Sequence, residues 1–140
     1  MQHNSVNGTS NNLYATASTA GYMEPGKALQ EAVKAWYGEL AADGQSSLKL
    51  DNTNYNHFTQ VVWAKTKEIG CGVANCPSLN GAAPNSFKWT YVVCDYSPAG
   101  NYLNQNIYTV STAAGNKCPT GSTVNANKLC QINNVADIHA

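Results

Sequence analysis

Cysteine pairing constrains this chain more than any other feature of its sequence. Five cysteines occur in 140 residues, so at least one of them cannot pair within the chain. Cys71 and Cys94 lie in two apolar-rich runs, 69–74 and 87–96, and both runs are predicted to be strands. The segment between the runs is rich in turn residues, which favours an antiparallel pair. We therefore expect a disulfide between Cys71 and Cys94.

A second disulfide is expected near the C-terminus. Cys118 and Cys130 enclose a polar segment with few large apolar residues. Such a segment has little hydrophobic core of its own, so we expect a disulfide to stabilise it. We accordingly predict one domain over residues 1–112 and a cysteine-containing extension over 113–140. The alternative is that all five cysteines are reduced. The 18 asparagines and the charged fraction of only 11% are more typical of a secreted chain with disulfides.

Composition argues against nucleic-acid binding and against a membrane-spanning helix. The chain has eight Lys, no Arg and eight acidic residues, so its formal net charge is zero and no basic surface for nucleic acid is expected. No apolar run approaches the length of about 20 residues that a membrane-spanning helix needs. The single glycosylation sequon is Asn7-Gly8-Thr9, which predicts a glycan on Asn7 if the chain is secreted.

The clearest helix is predicted over residues 27–43. An apolar stripe runs along it at helical spacing, consisting of Leu29, Val33, Trp36 and Leu40. Pro25 and Gly26 precede the helix, and Gly44 follows it. Glu39 falls at the edge of the stripe. By contrast, residues 1–26 are rich in Asn, Ser, Thr and Gly, and we predict a loop there.

A second helix is predicted at the segment 56–66. His57 opens an apolar-rich run, and capping oxygens precede it at Asn52, Thr53 and Asn54. His57 is therefore a candidate ligand at the start of a buried helix. The alternative is a structural histidine that is hydrogen-bonded to Glu39 or to a backbone carbonyl. The large aromatic residues are predicted to lie in the core: Trp36, Phe58, Trp63, Trp89 and Tyr91.

Two segments resemble the signature motifs of the CAP superfamily, which groups cysteine-rich secretory proteins, insect antigen 5 and plant pathogenesis-related proteins. The segments are 56–66 and 91–102, and Ile69-Gly-Cys71-Gly lies between them. The resemblance extends from about residue 10 to 130 and is to nematode venom-allergen-like or activation-associated secreted proteins. It implies a three-layer α-β-α sandwich with a central antiparallel sheet. It also implies that the family's first helix lies upstream, so we expect the chain to start inside the domain.

The same resemblance implies a cleft of two His and two acidic residues that can hold zinc. His57 matches one imidazole, and Glu39 in Trp36-Tyr-Gly-Glu39 matches one carboxylate. Asn11 stands where the other carboxylate is expected. One imidazole and one carboxylate are too few for tight zinc binding, because even catalytic zinc usually has about three protein ligands. We therefore expect a vestigial site and no cofactor. The resemblance also implies that Cys76 pairs with a cysteine upstream of His3.

Three functions remain open at this stage. The first is a secreted protein-interaction module that modulates host immunity or haemostasis, and the second is a sterol or fatty-acid carrier. The third is a metal-dependent hydrolase that uses His57 and Glu39. No Gly-x-Ser-x-Gly turn or other nucleophile is evident, so we expect no enzymatic activity. Without its first helix, the sheet would expose an apolar face, which predicts either association with another chain or an unusually apolar open face.

Overall fold

A computed structural model describes residues 8–43, 50, 57–78 and 87–132. Several predictions concern residues outside these ranges, namely Asn7, Gly44 and the capping residues Asn52, Thr53 and Asn54. The chain divides into two compact units, Met1–Tyr108 and Thr109–Ala140.

The described part of the first unit combines two helices with a three-stranded antiparallel sheet. Its helices are α1 (Pro25–Asp43) and α2 (His57–Val61), and its strands are β1 (Ser10–Ser18), β2 (Glu68–Cys76) and β3 (Lys88–Ser97). The strand order is β1-β3-β2, with β3 in the centre. The second unit contains a short hairpin of β4 (Ser122–Val124) and β5 (Cys130–Ile132). This mixed architecture of helices and antiparallel sheet agrees with the predicted fold class.

Strand β1 corrects the prediction of a loop over residues 1–26. It pairs with β3 along its whole length, from Ser10 opposite Tyr96 to Ser18 opposite Lys88. Its sequence, Ser-Asn-Asn-Leu-Tyr-Ala-Thr-Ala-Ser, has no large apolar residue at alternate positions. The strand is stabilised by backbone pairing with β3 and by the hydrogen bonds of Asn12, whose side chain is only 2% exposed.

The predicted antiparallel pair is present as β2 and β3. Cys71 lies directly opposite Cys94, and their sulfur atoms are 2.04 Å apart. The buried residues of β3 are Thr90, Val92, Cys94 and Tyr96. Trp89 and Tyr91 occupy the alternate positions and are only half-buried. Their assignment to the core was therefore wrong, since the alternate residues Val92, Cys94 and Tyr96 pack in the core with α1.

Helix α1 begins with a clear capping arrangement. The Glu24 carboxylate accepts hydrogen bonds from the backbone N–H groups of Gly26 (2.9 Å) and Lys27 (2.8 Å). The Glu24 carbonyl accepts the first helical bond, from Ala28 N (2.8 Å). Glu24 is thus the N-cap, and Pro25 occupies the first helical position, which needs no N–H donor.

The buried stripe of α1 differs from the predicted one. Ala28, Ala32 and Trp36 are at most 2% exposed and pack with Val92 and Cys94 of β3. Leu29 is partly buried beside them, whereas Val33 is 41% exposed, so its assignment to the stripe was wrong. Alanines face the sheet because a small side chain lets the helix approach it closely.

A second buried cluster lies beside α2. It consists of Leu50, Trp63 and Ile107, with Val62 packed against it. Helix α2 covers only five residues and is shorter than the predicted segment, and its buried residues are Phe58, Thr59 and Gln60. After Val61 the chain turns, and Ala64 N donates to the carbonyl of Ile107 (2.9 Å).

The hairpin of the second unit is closed by Cys118 and Cys130, whose sulfur atoms are 2.08 Å apart. The predicted disulfide-closed tail is therefore confirmed. Cys76, at the end of β2, is the one cysteine without a disulfide partner. No helix in the described part of the chain is long and apolar enough to cross a membrane.

Candidate functional site

The predicted pair of His57 and Glu39 comes together where α2 meets α1. Nδ1 of His57 lies 2.6 Å from Oε1 of Glu39, although 18 residues separate the two in the sequence. Their side chains are 35% and 26% exposed, respectively, so the pair is at the edge of the core. The His57 ring also stacks on Trp36, with centroids 6.2 Å apart and an interplanar angle of 26°. Because Trp36 and Glu39 are three residues apart on α1, they hold the imidazole from one helix face.

Glu39 also caps α2. Its second oxygen, Oε2, accepts a hydrogen bond from the backbone N–H of Phe58 (3.0 Å), in the first turn of that helix. A short helix has few internal hydrogen bonds, so its free N–H groups need acceptors from elsewhere. Both carboxylate oxygens of Glu39 are therefore engaged by residues of α2. We call Glu39, His57 and Phe58 the Glu39 clamp.

Asn12 supports the clamp from β1 and was not predicted to have a role. Its Nδ2 donates to the carbonyl of His57 (3.0 Å) and to the Tyr96 hydroxyl (3.3 Å). Burial raises the pKa of Tyr96, and the hydrogen bond from Asn12 opposes that rise. Asn11, which the resemblance placed in the cleft, lies opposite Asp95 in the register. Successive residues of a strand face opposite sides, so Asn12 is the one on the His57 side.

Gln60 is a second buried polar residue that sequence reasoning missed. It is 1% exposed, and its Oε1 accepts hydrogen bonds from Ser10 Oγ and from the backbone N–H of Gly100 (3.1 Å). Its Nε2 donates to Thr66 Oγ1 (3.2 Å). A Cβ at position 100 would lie 2.7 Å from Gln60 and from Trp63. Glycine is therefore needed where the chain after β3 passes over α2.

Further hydrogen bonds tie the two signature segments together. Thr59 Oγ1 donates to Asn101 Oδ1 (2.7 Å), and Thr66 Oγ1 donates to the Pro98 carbonyl (2.9 Å). Asn101 has a φ of 57°, a left-handed conformation that Asn tolerates better than most residues. The polar residues of both motifs thus serve mainly to hold α2 against the chain that follows β3. A sequence alone cannot show this, because the partners are 42 and 32 residues apart.

The described residues do not fit a zinc ion. No group of three His, Cys, Asp or Glu side chains within the described ranges is placed to hold a metal. The Glu39 carboxylate is engaged within the clamp, where its oxygens accept hydrogen bonds from His57 Nδ1 and Phe58 N. His57 alone supplies a single donor atom, whereas zinc in proteins usually takes about three or four protein ligands.

Comparison with known proteins identifies the family. A sequence model of the cysteine-rich secretory protein family, CAP, matches residues 1–96. The chain belongs to the CAP family. GLIPR1-like protein 1 of Mus musculus is 38% identical to this CAP chain over 110 residues, which are 73% of the chain and 39% of that relative. Venom allergen 5 2 of Polybia paulista is 41% identical over 101 residues, which are 70% of the chain and 44% of the allergen. The chain thus spans about two-fifths of the length of these relatives.

Solved structures agree with this assignment. The structure of BmVAL-1 has a TM-score of 0.72 and 30% identity, and the match covers 90% of this chain and 62% of that one. The crystal structure of NaASP2 with Zn²⁺ has a TM-score of 0.63 and 34% identity, covering 75% and 52%. The predicted resemblance to nematode venom-allergen-like proteins is therefore confirmed, as is the CAP α-β sandwich. Relatives also include the secreted protein RBT4 of Candida albicans, and the two disulfides accord with an extracellular location.

Proposed function

We propose that this CAP chain is a secreted protein-interaction module with no catalytic activity of its own. The observation that carries the proposal is the Glu39 clamp, in which both oxygens of Glu39 are bound, one to His57 Nδ1 and one to Phe58 N. The two residues that most resemble a catalytic or metal-binding pair are thus used to fix α2 on α1. The clamp makes the scaffold rigid, which favours a role in presenting surfaces to another protein.

Catalysis by a His–Glu pair requires a further participant. Such a pair can activate a nucleophile only if a hydroxyl or thiol lies within hydrogen-bond reach of the imidazole. In the part of the chain that the structure describes, the His57 ring is hydrogen-bonded to the Glu39 carboxylate and stacks on the Trp36 ring. The free thiol, Cys76, lies opposite Trp89, at the other end of the β2–β3 pair from the Tyr96 end.

The partner class follows from the relatives and the surface. Venom allergens and nematode venom-allergen-like proteins are among the similar proteins, so we propose host extracellular proteins of immunity or haemostasis as partners. Several tyrosines and aliphatic residues of the first unit are more than 40% exposed, and tyrosine in particular is enriched in protein interfaces. They are Tyr22, Val33, Tyr37, Ile69, Tyr102, Leu103 and Tyr108.

Two measurements test the proposal. Isothermal titration with zinc is expected to show no stoichiometric site, and assays with peptide and ester substrates are expected to show no turnover. Zinc binding or hydrolysis that is lost in His57→Ala would contradict the clamp. Surface plasmon resonance against a panel of purified plasma proteins and immune-receptor ectodomains is expected to reveal saturable binding. Failure to bind any extracellular protein would count against the interaction module.

A carrier function is the second candidate, because the structure contains a cavity of about 390 Å³. That volume is within the range of about 300–1,000 Å³ found for small-molecule sites. The lining combines Ala17, Ala20 and Met23 with the charged residues Glu24 and Lys88. Glu24 and Glu39 are about 22 Å apart along α1, so the cavity is distinct from the clamp. Native mass spectrometry is expected to detect a bound lipid if this is the function, and a ligand-free spectrum contradicts it.

Self-association through the sheet belongs to the same proposal. Both described helices contact the sheet face that carries Val92 and Cys94. The opposite face presents half-buried apolar side chains, among them Leu13, Tyr91 and Val93. Contiguous apolar surface of this kind is rare on monomers. Size-exclusion chromatography with light scattering is expected to show a dimer, and a monomer at all concentrations contradicts this expectation.

A further inference from the structure

Strand β2 forms an exposed edge of the three-stranded sheet. It pairs with β3 along all nine of its residues, and in the described part of the chain no other strand pairs with its far side. Val73 and Cys76 are half-buried, and the other residues of β2 are exposed. The side of β2 that faces away from β3 is therefore open to solvent.

The spacing at the disulfide shows which backbone groups of β2 face outward. Opposite residues of an antiparallel pair alternate between hydrogen-bonded pairs, with Cα atoms about 5.5 Å apart, and non-hydrogen-bonded pairs, at about 4.5 Å. The Cα atoms of Cys71 and Cys94 are 4.1 Å apart, so these two residues form a non-hydrogen-bonded pair. The N–H and C=O groups of Cys71 therefore point away from β3. Because the direction alternates along a strand, those of Ile69, Val73 and Asn75 also point outward. We call these four residues the β2 edge.

The backbone groups of the β2 edge have no partner among the described residues. The other edge of the sheet differs, because the Leu13 carbonyl of β1 accepts a hydrogen bond from Trp36 Nε1 of α1 (3.1 Å). Proteins commonly block an exposed edge with Lys, Pro or a bulge. Strand β2 contains no Lys or Pro, and its register with β3 runs without a bulge. The β2 edge is thus able to accept a further strand.

The β2 edge is complementary to itself. Two copies of β2 can pair in antiparallel orientation about a two-fold axis at Gly72, and each outward residue then lies opposite an outward residue of the partner subunit. The resulting pairs are Ile69 with Asn75 and Cys71 with Val73, and each pair forms twice. At the axis, nothing lies within 4 Å of a Cβ added at Gly72, so the two backbones can approach closely. In this register every outward N–H and C=O group of both edges is paired.

The charges of β2 permit this pairing. Glu68 is the one charged residue of the strand, and in this register it lies opposite Cys76 of the partner subunit. No two carboxylates face each other, whereas like charges directly opposite would destabilise the pair. A strand from an unrelated protein would have to match the edge by chance, but a second copy of β2 matches it by symmetry.

We propose that two copies of this chain associate through the β2 edge and join their sheets into one continuous antiparallel sheet. Main-chain hydrogen bonds supply most of the affinity in this kind of strand addition. The contact differs from the one proposed above through the apolar face, because pairing at an edge leaves both faces of the sheet uncovered. It also goes beyond the interaction module, whose binding to other proteins does not depend on it.

Disulfide trapping tests the register. In Gly72→Cys/Cys76→Ser the introduced thiols of two copies meet at the axis, as a non-hydrogen-bonded pair. We expect a disulfide-linked dimer on a non-reducing gel after equilibration in a glutathione redox buffer. Gly70→Cys/Cys76→Ser is the matched control, because its thiols would lie about 13 Å apart in the paired strands. Nothing lies within 4 Å of an added Cβ at either glycine. Equal trapping of both variants, or trapping of neither, would show that β2 does not pair about Gly72.

Exchange of charges tests the pairs of Ile69 with Asn75. Ile69→Lys/Asn75→Lys places two ammonium groups opposite each other in both pairs, so we expect the Kd of the dimer to rise about tenfold. Ile69→Lys/Asn75→Glu places opposite charges there and is expected to restore the Kd to within about threefold of the wild-type value. Sedimentation equilibrium measures the Kd, and circular dichroism verifies that each variant is folded. Equal weakening of both variants would show that the two residues do not face each other.

Three outcomes would overturn the proposal and leave the interaction module intact. A wild-type chain that sediments as a monomer at every concentration would show that the β2 edge does not pair with itself. A dimer that is neither trapped by Gly72→Cys/Cys76→Ser nor weakened by Ile69→Lys/Asn75→Lys would belong to the apolar face. Binding of an extended peptide by a monomeric wild type, lost in Ile69→Lys/Asn75→Lys, would assign the edge to a strand of another protein.

Discussion

Glu39 shows how one side chain can look catalytic and yet be structural. Its two oxygens accept hydrogen bonds from His57 Nδ1 and Phe58 N. In Glu39→Ala both donors lose their partner, and each unsatisfied group costs about 1–3 kcal/mol. We therefore expect the free energy of unfolding in urea to fall by about 2–4 kcal/mol.

The matched control for Glu39 is Glu31→Ala. Glu31 is on the same helix, and its carboxylate makes only an exposed salt bridge with Lys34 (2.9 Å). Such pairs contribute less than about 1 kcal/mol. Urea unfolding of both variants is monitored by tryptophan fluorescence. If Glu39→Ala and Glu31→Ala lose the same free energy of unfolding, the hydrogen bonds of Glu39 do not stabilise the contact between α1 and α2.

Gly100 gives a second test at the scale of single residues. A methyl group there would lie 2.7 Å from Gln60 and Trp63, both of which are buried. Overpacking of this kind costs about 1–3 kcal/mol, so we expect Gly100→Ala to lower the unfolding free energy by at least that amount. Gly72→Ala on β2 is the control, since nothing lies within 4 Å of its added methyl. A Gly100→Ala chain as stable as the control would mean that α2 can move away without cost.

Sequence reasoning found the contact of His57 with Glu39 but missed the residues that support it. Histidine and glutamate are residue types that bind metals and transfer protons, so each was a candidate site residue from its type alone. Asn12 and Gln60 are buried and hydrogen-bonded, yet nothing in the local sequence distinguishes them from the other amide side chains. Their roles depend on partners about 40 or more residues away. Only the folded chain reveals such pairs.

At the scale of elements, α1 depends on its N-cap. Backbone hydrogen bonds from Gly26 and Lys27 lower the pKa of the Glu24 carboxyl below its ordinary value. The folded state therefore binds this proton less readily than the unfolded state, and the stabilisation is lost as the pH falls through the folded pKa. We expect the wild type to melt at a higher temperature than Glu24→Gln at neutral pH. The difference should shrink between about pH 5 and pH 2.

The measurement is the thermal midpoint of both chains across that pH range. Glu31→Gln serves as the control, because Glu31 bonds to the Lys34 side chain and not to the helix N-terminus. A difference between wild type and Glu24→Gln that stays constant down to pH 2 would show that the charge of Glu24 does not contribute to the cap.

The elements themselves were predictable to different degrees. The β2–β3 pair and α1 were found because alternation and helical spacing of apolar residues are local signals. Strand β1 was missed, since its polar sequence gains its stability from pairing with β3. The predicted buried stripe of α1 included Leu29 and Val33, whereas the fully buried residues at this end of the helix are Ala28 and Ala32. Hydrophobicity alone favours the larger residues, whereas close contact with the sheet selects the smaller ones.

At the scale of the whole molecule, the two units differ in what stabilises them. Among its described residues, unit Met1–Tyr108 has two buried clusters and a three-stranded sheet. In unit Thr109–Ala140, the described strands form only a hairpin of three residues on each side. Isolated two-stranded hairpins are marginal in water. The second unit must therefore depend more strongly on its disulfide.

Removing that disulfide tests this difference. Cys118 and Cys130 are 12 residues apart, and closing a loop of about that size stabilises by about 3 kcal/mol. We expect Cys118→Ser/Cys130→Ser to make the segment after Tyr108 sensitive to trypsin at Lys117 and Lys128, with the fragment 1–117 surviving. The thermal midpoint of that fragment should match the main transition of the wild type. If the variant resists trypsin at both lysines, the hairpin folds without its bridge; if the main transition also falls, the two units do not fold independently.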